Sequence, residues 1–455
     1  MKGIVIRSIL VIAFLLGTIG MGTAYAGNPF KDATDTKDGY KTWDSDMINV
    51  EQVSQTGAGV YVAVLDTGLV PNWADYFPKD RVNTALGTGF DQPVSFKAQN
   101  DPCGLGVEIG KLHQTTWVGS TGSTHGTHVA STILGYFYRS NSDAAAGFPL
   151  PPIIVRGIAP KVTIIPVKVL ADYQVPALPK CTDPGPQPSQ SVVFGTDSMV
   201  AAGINYATDL AIAGYTPMVI NMSLGGSELA DIEEDAIDRA IENGVIVVAA
   251  AGNEGEDGMG YPGAYVPVIS AGAVGWTKEW QKPATPPAPP RYRLWWLQSG
   301  FYPFFDILEP TPVSEVYVTN FSSRELAGQE LDVLAPGSWV RGPFAGDPGF
   351  NHLPWWSKGI GDLVGGNSGN FYYVGGTSMA TPHVAATAAL LLEKNPSLTQ
   401  GEIEAILKST ALPIPPGSAT VFDLSPVQDY YTYTWGADAT GSGLIQVDAA
   451  IAAVP

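Results

Sequence analysis

Basic residues are scarce in this 455-residue chain. Lys and Arg total 24 against 43 Asp and Glu, a formal net charge of −19. That balance argues against nucleic acid as a partner, because phosphate binding needs basic patches. Beyond the first 26 residues no apolar run is long enough to cross a bilayer. No internal repeat is present, and a composition 45% hydrophobic and 15% charged is that of a globular chain and not of a disordered one. Cysteine is limited to Cys103 and Cys181, and histidine to His113, His125, His128, His352 and His383, so few side chains qualify as a catalytic base.

The chain opens with Lys2 and Arg7 around an apolar stretch that ends in Ala24-Tyr25-Ala26. This is the pattern of an export signal over residues 1–26, with the mature chain starting at Gly27 and a secreted or periplasmic destination. In an exported protein the even cysteine count is consistent with one disulfide, two unpaired thiols being the alternative.

Short runs rich in Val and Ile end repeatedly at turn residues: "GVYVAVLDTG", "KVTIIPVKVL", "PMVINMSLGG", "GVIVVAAAGN", "VPVISAGAV" and "LDVLAPG". Nearly continuous hydrophobicity is expected of parallel strands buried on both faces. Helical patterns alternate with them. One places Ile232, Ala236, Ile237, Ala240 and Ile241 on a single face and stops at Asn243-Gly244. Another, "HVAATAALLLE", is apolar all round and reads as a buried central helix. A third opens with the capping box Thr399 to Glu402 and carries Ile403, Ile406 and Leu407. The alternation predicts a doubly wound α/β fold with a mostly parallel sheet and helices on both faces. Functional groups then gather outside the carboxyl ends of the strands, where Asp66 and Asn253 fall. Proline- or glycine-rich insertions near 91–123, 140–157, 172–197, 277–318 and 340–370 read as loops on that one scaffold, because core-type segments resume after each. Residues 27–46 form a short N-terminal segment, and 47–455 carry the main domain.

"GGTSMATPHVA" sets Ser378 between a glycine turn and a helix start. The serine is either a helix cap or an exposed nucleophile. A nucleophilic serine needs a base, a carboxylate to orient it and donors for an oxyanion. His125 in "STHGTHVAS" stands at a helix start with Thr124 as its cap, and His128 follows on the same face. Either is a candidate base, and together they are a weak metal pair, with no glutamate in the zincin arrangement. Asp66 follows a buried strand at a glycine turn.

Together and in this order, "VAVLDTG", "HGTHVA", "VINMSLGG", "AAAGNEG", "LDVLAPG" and "GGTSMATPHVA" closely resemble the subtilisin-like serine proteases, the subtilase family. The resemblance spans about Gly57 to Ala385 and implies a subtilisin-like fold and serine endopeptidase activity on polypeptide substrates. It implies a triad of Asp66, His125 and Ser378, with Asn253 as side-chain donor of the oxyanion hole and His128 and His383 as structural histidines. Ser223, Leu224, Gly225 and Gly226 match the strand that pairs with extended substrate, and Ala250, Ala251 and Gly252 match the facing pocket wall. Small residues on both walls, with no carboxylate among them, imply broad specificity. The chemistry requires no cofactor or catalytic metal. A structural calcium is open: Asp75 stands where a family ligand would stand, but the usual loop after "HGTHVA" is replaced. The stretch after the signal is too short for the usual inhibitory propeptide, which points to unaided folding, to help from residues 27–46, or to a separate inhibitor or folding helper. The rival readings are a binding scaffold on the same fold and a metal-dependent hydrolase using His125 and His128. The aromatic segments within 291–310 and 353–357 read as a satellite core under long loops.

Overall fold

The Val- and Ile-rich runs all become strands of one nine-stranded sheet in the computed structural model. In chain order the strands are β1 (Tyr61–Asp66), β2 (Thr88–Asp91), β3 (His113–Thr115), β4 (Thr163–Lys168), β5 (Met218–Met222), β6 (Ile246–Ala250), β7 (Ile269–Trp276), β8 (Val316–Val318) and β9 (Val333–Pro336). Across the sheet they lie β8-β7-β6-β5-β1-β4-β2-β3, with β9 beside β7. All pairings are parallel except β7 with β8 and β2 with β3. The described residues are 30–99, 103–120, 124–138, 153–182, 185–281, 291–292, 296–297, 307, 309–344, 357–358, 371–423 and 429–455. The export signal, His352 and most of both aromatic segments lie outside them. The chain divides into Met1–Asp32 and Ala33–Pro455, and every element discussed belongs to the second unit.

Strand alternation feeds a core on each face of the sheet. Val62, Val64, Val219 and Val248 join helices α1 (His125–Leu134) and α4 (Thr377–Lys394) in one cluster. Ala63, Leu65, Ile220 and Val247 join α2 (Asp197–Ile212) and α3 (Asp231–Glu242) in the other. Each fully buried Val, Leu or Ile contributes about 1.5–3 kcal/mol, which explains why central strands are hydrophobic without a break. Helix α4 is buried from Thr377 to Leu392, as its all-round apolarity predicts. Helix α5 (Gln400–Thr410) opens on the Thr399–Glu402 capping box.

Helix α3 departs from the expected stripe. Its buried positions are Glu233, Ala236, Ile237 and Ala240, while Ile232 is 50% exposed. The buried set is one i, i+3, i+4, i+7 stripe, and Ile232 in the first turn falls off its edge. Burial, with the charge of Asp197 adding to it, pushes the Glu233 carboxyl up to about 7.

Two insertions form antiparallel ribbons. Val94–Ala98 pairs with Leu105–Ile109, and Ala171–Val175 with Gln190–Phe194. Cys103 and Cys181 are bonded to each other, so a disulfide ties the turn of the first ribbon to that of the second.

Candidate active site

Strand β1 and helix α1 bring the first two candidates together. Asp66 ends β1 fully buried, and His125 is the first residue of α1. The His125 Nδ1 lies 2.9 Å from both Asp66 carboxylate oxygens. Asp66 Oδ1 also accepts the Thr67 N–H at 2.6 Å. Taking the ring out of water lowers its pKa, but the charge of Asp66 and its hydrogen bond outweigh this, so the His125 pKa lies above the ordinary histidine value of 6.5.

The expected cap of α1 is corrected by the structure. Thr124 occupies the N-cap position, yet its hydroxyl is buried and makes no capping bond. Thr67 caps the helix instead, its Oγ1 accepting the Gly126 N–H at 2.9 Å. Thr124 has φ −100° and ψ 2°, not the extended conformation of a capping residue, so its side chain is not aimed at the first-turn amides. Thr67 and Thr127 thus lock the "DTG" turn to the "HGTH" turn, because Thr127 Oγ1 accepts the Val70 N–H at 3.0 Å. Gly126 allows the approach: a Cβ there would lie 2.5 Å from the Gly68 carbonyl oxygen and 3.0 Å from Asp66 Oδ1. Gly126→Ala is therefore expected to push α1 off β1 and lower kcat about tenfold or more. Steady-state kinetics on a peptide substrate checks this, and an unchanged kcat would count against the contact.

Ser378 is the second residue of α4 and is buried to 8% exposure. Gly376 precedes the helix with φ 149° and ψ 155°, a conformation suited to glycine. Asn253, beyond the end of β6, reaches this turn. Its Oδ1 accepts the Thr377 N–H at 2.8 Å and the Thr377 hydroxyl at 3.1 Å. With the oxygen so used, the amide nitrogen remains as a donor. The Ser378 N–H lies on the same side of the turn, one of the first-turn amides that a helix leaves without an internal partner. Both donors lie within 4 Å of where a Gly376 Cβ would stand, at a helix N-terminus, where the macrodipole favours negative charge.

Pro382 lies six residues into α4, and its missing N–H leaves the Ser378 carbonyl without an i+4 donor. Ser223 fills that role, its hydroxyl donating to the Ser378 carbonyl at 2.8 Å. In return the Ser378 hydroxyl donates to the Ser223 carbonyl at 3.1 Å. Asn221 Nδ2 donates to the Ser223 hydroxyl at 3.1 Å and holds its orientation. The sequence presents Ser223 only as part of a substrate-pairing strand; the position of Pro382 is the signal of its second task.

The two expected walls stand beside Ser378. Ser223 is buried, Leu224 half-buried, and Gly225 and Gly226 exposed, while Ala250, Ala251 and Gly252 are buried. A third element, missed from sequence, joins them. Tyr261 exchanges two backbone bonds with Gly226, at 2.7 and 2.8 Å, and the Gly260 N–H donates to the Ala251 carbonyl at 2.9 Å. The "GYPG" turn is the signal that could have found it.

The other described histidines do not touch the Asp66–His125 pair. His128 is buried, with Nε2 3.1 Å from the Val340 carbonyl oxygen. His383 is buried against Met379 and Asp44, and His113 is exposed on the edge strand β3. The His125 and His128 nitrogens thus face separate partners and do not converge as a ligand pair. Among the described residues, the carboxylate groups spaced for a cation are Asp46, Glu51 and Glu309, and Glu330, Asp332 and Glu404. Asp75 belongs to neither, and the Lys408 ammonium already sits in the second group, 3.0 Å from Asp332.

Comparison with known proteins shows the family. The profile of the Subtilase family, Peptidase_S8, matches residues 57–436. The chain is 28% identical to subtilisin DY of Bacillus licheniformis over 80% of its own length and 87% of that protein. It is 29% identical to subtilisin E of Bacillus subtilis (strain 168) over 87% of its own length and 66% of that protein. A solved psychrophilic protease shares the fold with a TM-score of 0.51 at 24% identity, covering 90% of this chain and 99% of that one. The motif order, the α/β architecture and the family match together lead to one conclusion: the chain belongs to the subtilase family and is a serine endopeptidase.

Proposed function

We propose that the protein is an exported endopeptidase that cleaves polypeptides with broad specificity through Asp66, His125 and Ser378. The observation that carries this reading is the His125 ring held by both Asp66 oxygens at 2.9 Å. That contact puts the proton on Nδ1 and leaves Nε2 as the base. The Ser378 hydroxyl turns from the Ser223 carbonyl toward Nε2, which takes its proton as Oγ attacks the substrate carbonyl carbon. Asn253 Nδ2 and the Ser378 N–H receive the oxyanion. His125 returns the proton to the leaving amine, and a water molecule, deprotonated by the same nitrogen, hydrolyses the acyl-enzyme. This sequence of steps is that of the subtilisin triad, and it comes to this chain through membership of the same family. Extended substrate pairs with the backbone at Leu224 and Gly225, since Gly226 is already bonded to Tyr261. The apolar first residues and the small cleavage motif support export. A structural calcium and a separate inhibitor or folding helper are compatible with this chemistry and are not required by it.

The test is mass-spectrometric mapping of a fluorophosphonate adduct on purified protein, beside a casein digestion. An adduct on Ser378 with casein cleaved is expected. Folded protein without adduct would favour the scaffold reading, and cleavage sensitive to chelators without adduct the metal reading. Because Asp66 raises the His125 pKa, protonation removes the base as pH falls. The acid limb of kcat/KM is therefore expected above pH 6.5, with activity rising toward alkaline pH. Asp66→Asn should move that limb to lower pH, and an unmoved limb would separate it from this pair.

A further inference from the structure

The chain holds a second Asp–His pair, buried behind the nucleophile. His383 Nε2 lies 3.1 Å from Asp44 Oδ2, and Nδ1 lies 2.7 Å from the Met379 carbonyl oxygen. The His383 side chain is fully buried and that of Asp44 is 9% exposed. Both ring nitrogens face oxygen acceptors.

The pair meets α4 where that helix is least able to hold itself. Gly376 offers no capping side chain, and Pro382 removes the bond that would have reached the Ser378 carbonyl. The first turn is held from outside by Asn253 at Thr377 and by Ser223 at Ser378, and from within α4 by the His383 ring, which bonds the Met379 carbonyl four residues back. Asp44 is well placed to fix that ring. It sits on the short helix Trp43–Met47, whose residues are all buried. The Val447 N–H donates to the Ile48 carbonyl at 2.8 Å, and the Thr311 hydroxyl to the Met47 carbonyl at 2.9 Å. Asn49 Nδ2 donates to Gln446 Oε1 at 3.0 Å. The C-terminal end of the short helix that carries Asp44 is thereby anchored to the residues around Thr311 and Gln446.

We propose that Asp44 is a positioning residue for the reaction. It acts through His383 and Met379 to set the first turn of α4, and with it Ser378 relative to Asn253 and His125. This rests on the assignment of Ser378 as nucleophile. Misplacing a nucleophile by a fraction of an ångström lowers the rate of attack without altering substrate contacts.

The experiment compares Asp44→Ala, Asp44→Asn and His383→Gln, with kcat expressed per site titrated by fluorophosphonate. Only folded, reactive molecules are then counted. Asp44→Ala and His383→Gln are expected to lose about tenfold or more in kcat per titrated site with KM held. Asp44→Asn should recover most of it, because its amide keeps a hydrogen bond to Nε2. A loss confined to the titratable fraction or to Tm, with kcat per site unchanged in Asp44→Ala, would overturn the proposal. If Asp44→Ala does not fold, Asp44→Asn and His383→Gln decide it: kcat per site unchanged in His383→Gln would overturn it. So would Asp44→Asn as slow as His383→Gln. Failure of the wild type to be titrated at Ser378 would instead count against the nucleophile assignment, which separates the two.

Discussion

Ser378→Ala is expected to lower kcat by about 10⁶, leaving no measurable casein digestion, while the protein stays folded. That magnitude is the one measured on removing the nucleophile of subtilisin, a member of this same family. The physical reason is that in the proposed mechanism Oγ is the atom that bonds to the acyl carbon, so no neighbouring group replaces it. Folding should survive because among the described residues the hydroxyl makes one hydrogen bond, to the Ser223 carbonyl. Losing one neutral hydrogen bond costs about 0.5–1.5 kcal/mol. The other bond between Ser378 and Ser223 is made by the Ser378 carbonyl, which alanine keeps. Hydrolysis, fluorophosphonate labelling and thermal unfolding measured on one preparation check all three claims. Hydrolysis near the wild-type rate would remove Ser378 from the mechanism.

Asn253 carries the second large effect. Its oxygen is committed to Thr377, and in the proposed mechanism its nitrogen receives the developing oxyanion. Asn253→Ala removes that donor and is expected to lower kcat about 10²–10³-fold with KM little changed, again a magnitude established on a subtilisin asparagine. Asn253→Asp separates the two tasks of this side chain. It still accepts the Thr377 N–H but presents an oxygen where the donor stood. It should be as slow as the alanine variant or slower. An aspartate variant near wild-type activity would mean that Asn253 only supports the turn.

The elements that carry these residues are legible as local patterns. Unbroken Val and Ile runs identify the strands, because a strand buried on both faces has no polar position to offer. The all-round apolarity of "HVAATAALLLE" identifies α4 for the same reason, and the Thr399–Glu402 box marks the start of α5. The site candidates are legible because glycine turns at strand and helix ends are where side chains converge in a doubly wound sheet. Thr124 shows the limit of such reading. Its residue type suits a cap, but the backbone there turns its hydroxyl elsewhere, and Thr67, at the end of β1, does the capping.

The sequence by itself determined the six Val- and Ile-rich strands, the helices α1, α3, α4 and α5 and, through the resemblance of its motifs to the subtilase family, the candidates Asp66, His125, Asn253 and Ser378. Those strands and helices depend on periodicity and on turn geometry within a few residues, whereas β3 and β8 lie in stretches that read as loops. Only the tertiary structure decided that Cys103 meets Cys181, that Ser223 serves the carbonyl orphaned by Pro382, that Tyr261 backs the substrate strand, and that Asp44 meets His383 across 339 positions. Partners that far apart leave no periodic trace in a single chain. Which polar group finds which is settled by where packing sets the two backbones, and by the cost of leaving either group buried without a hydrogen bond.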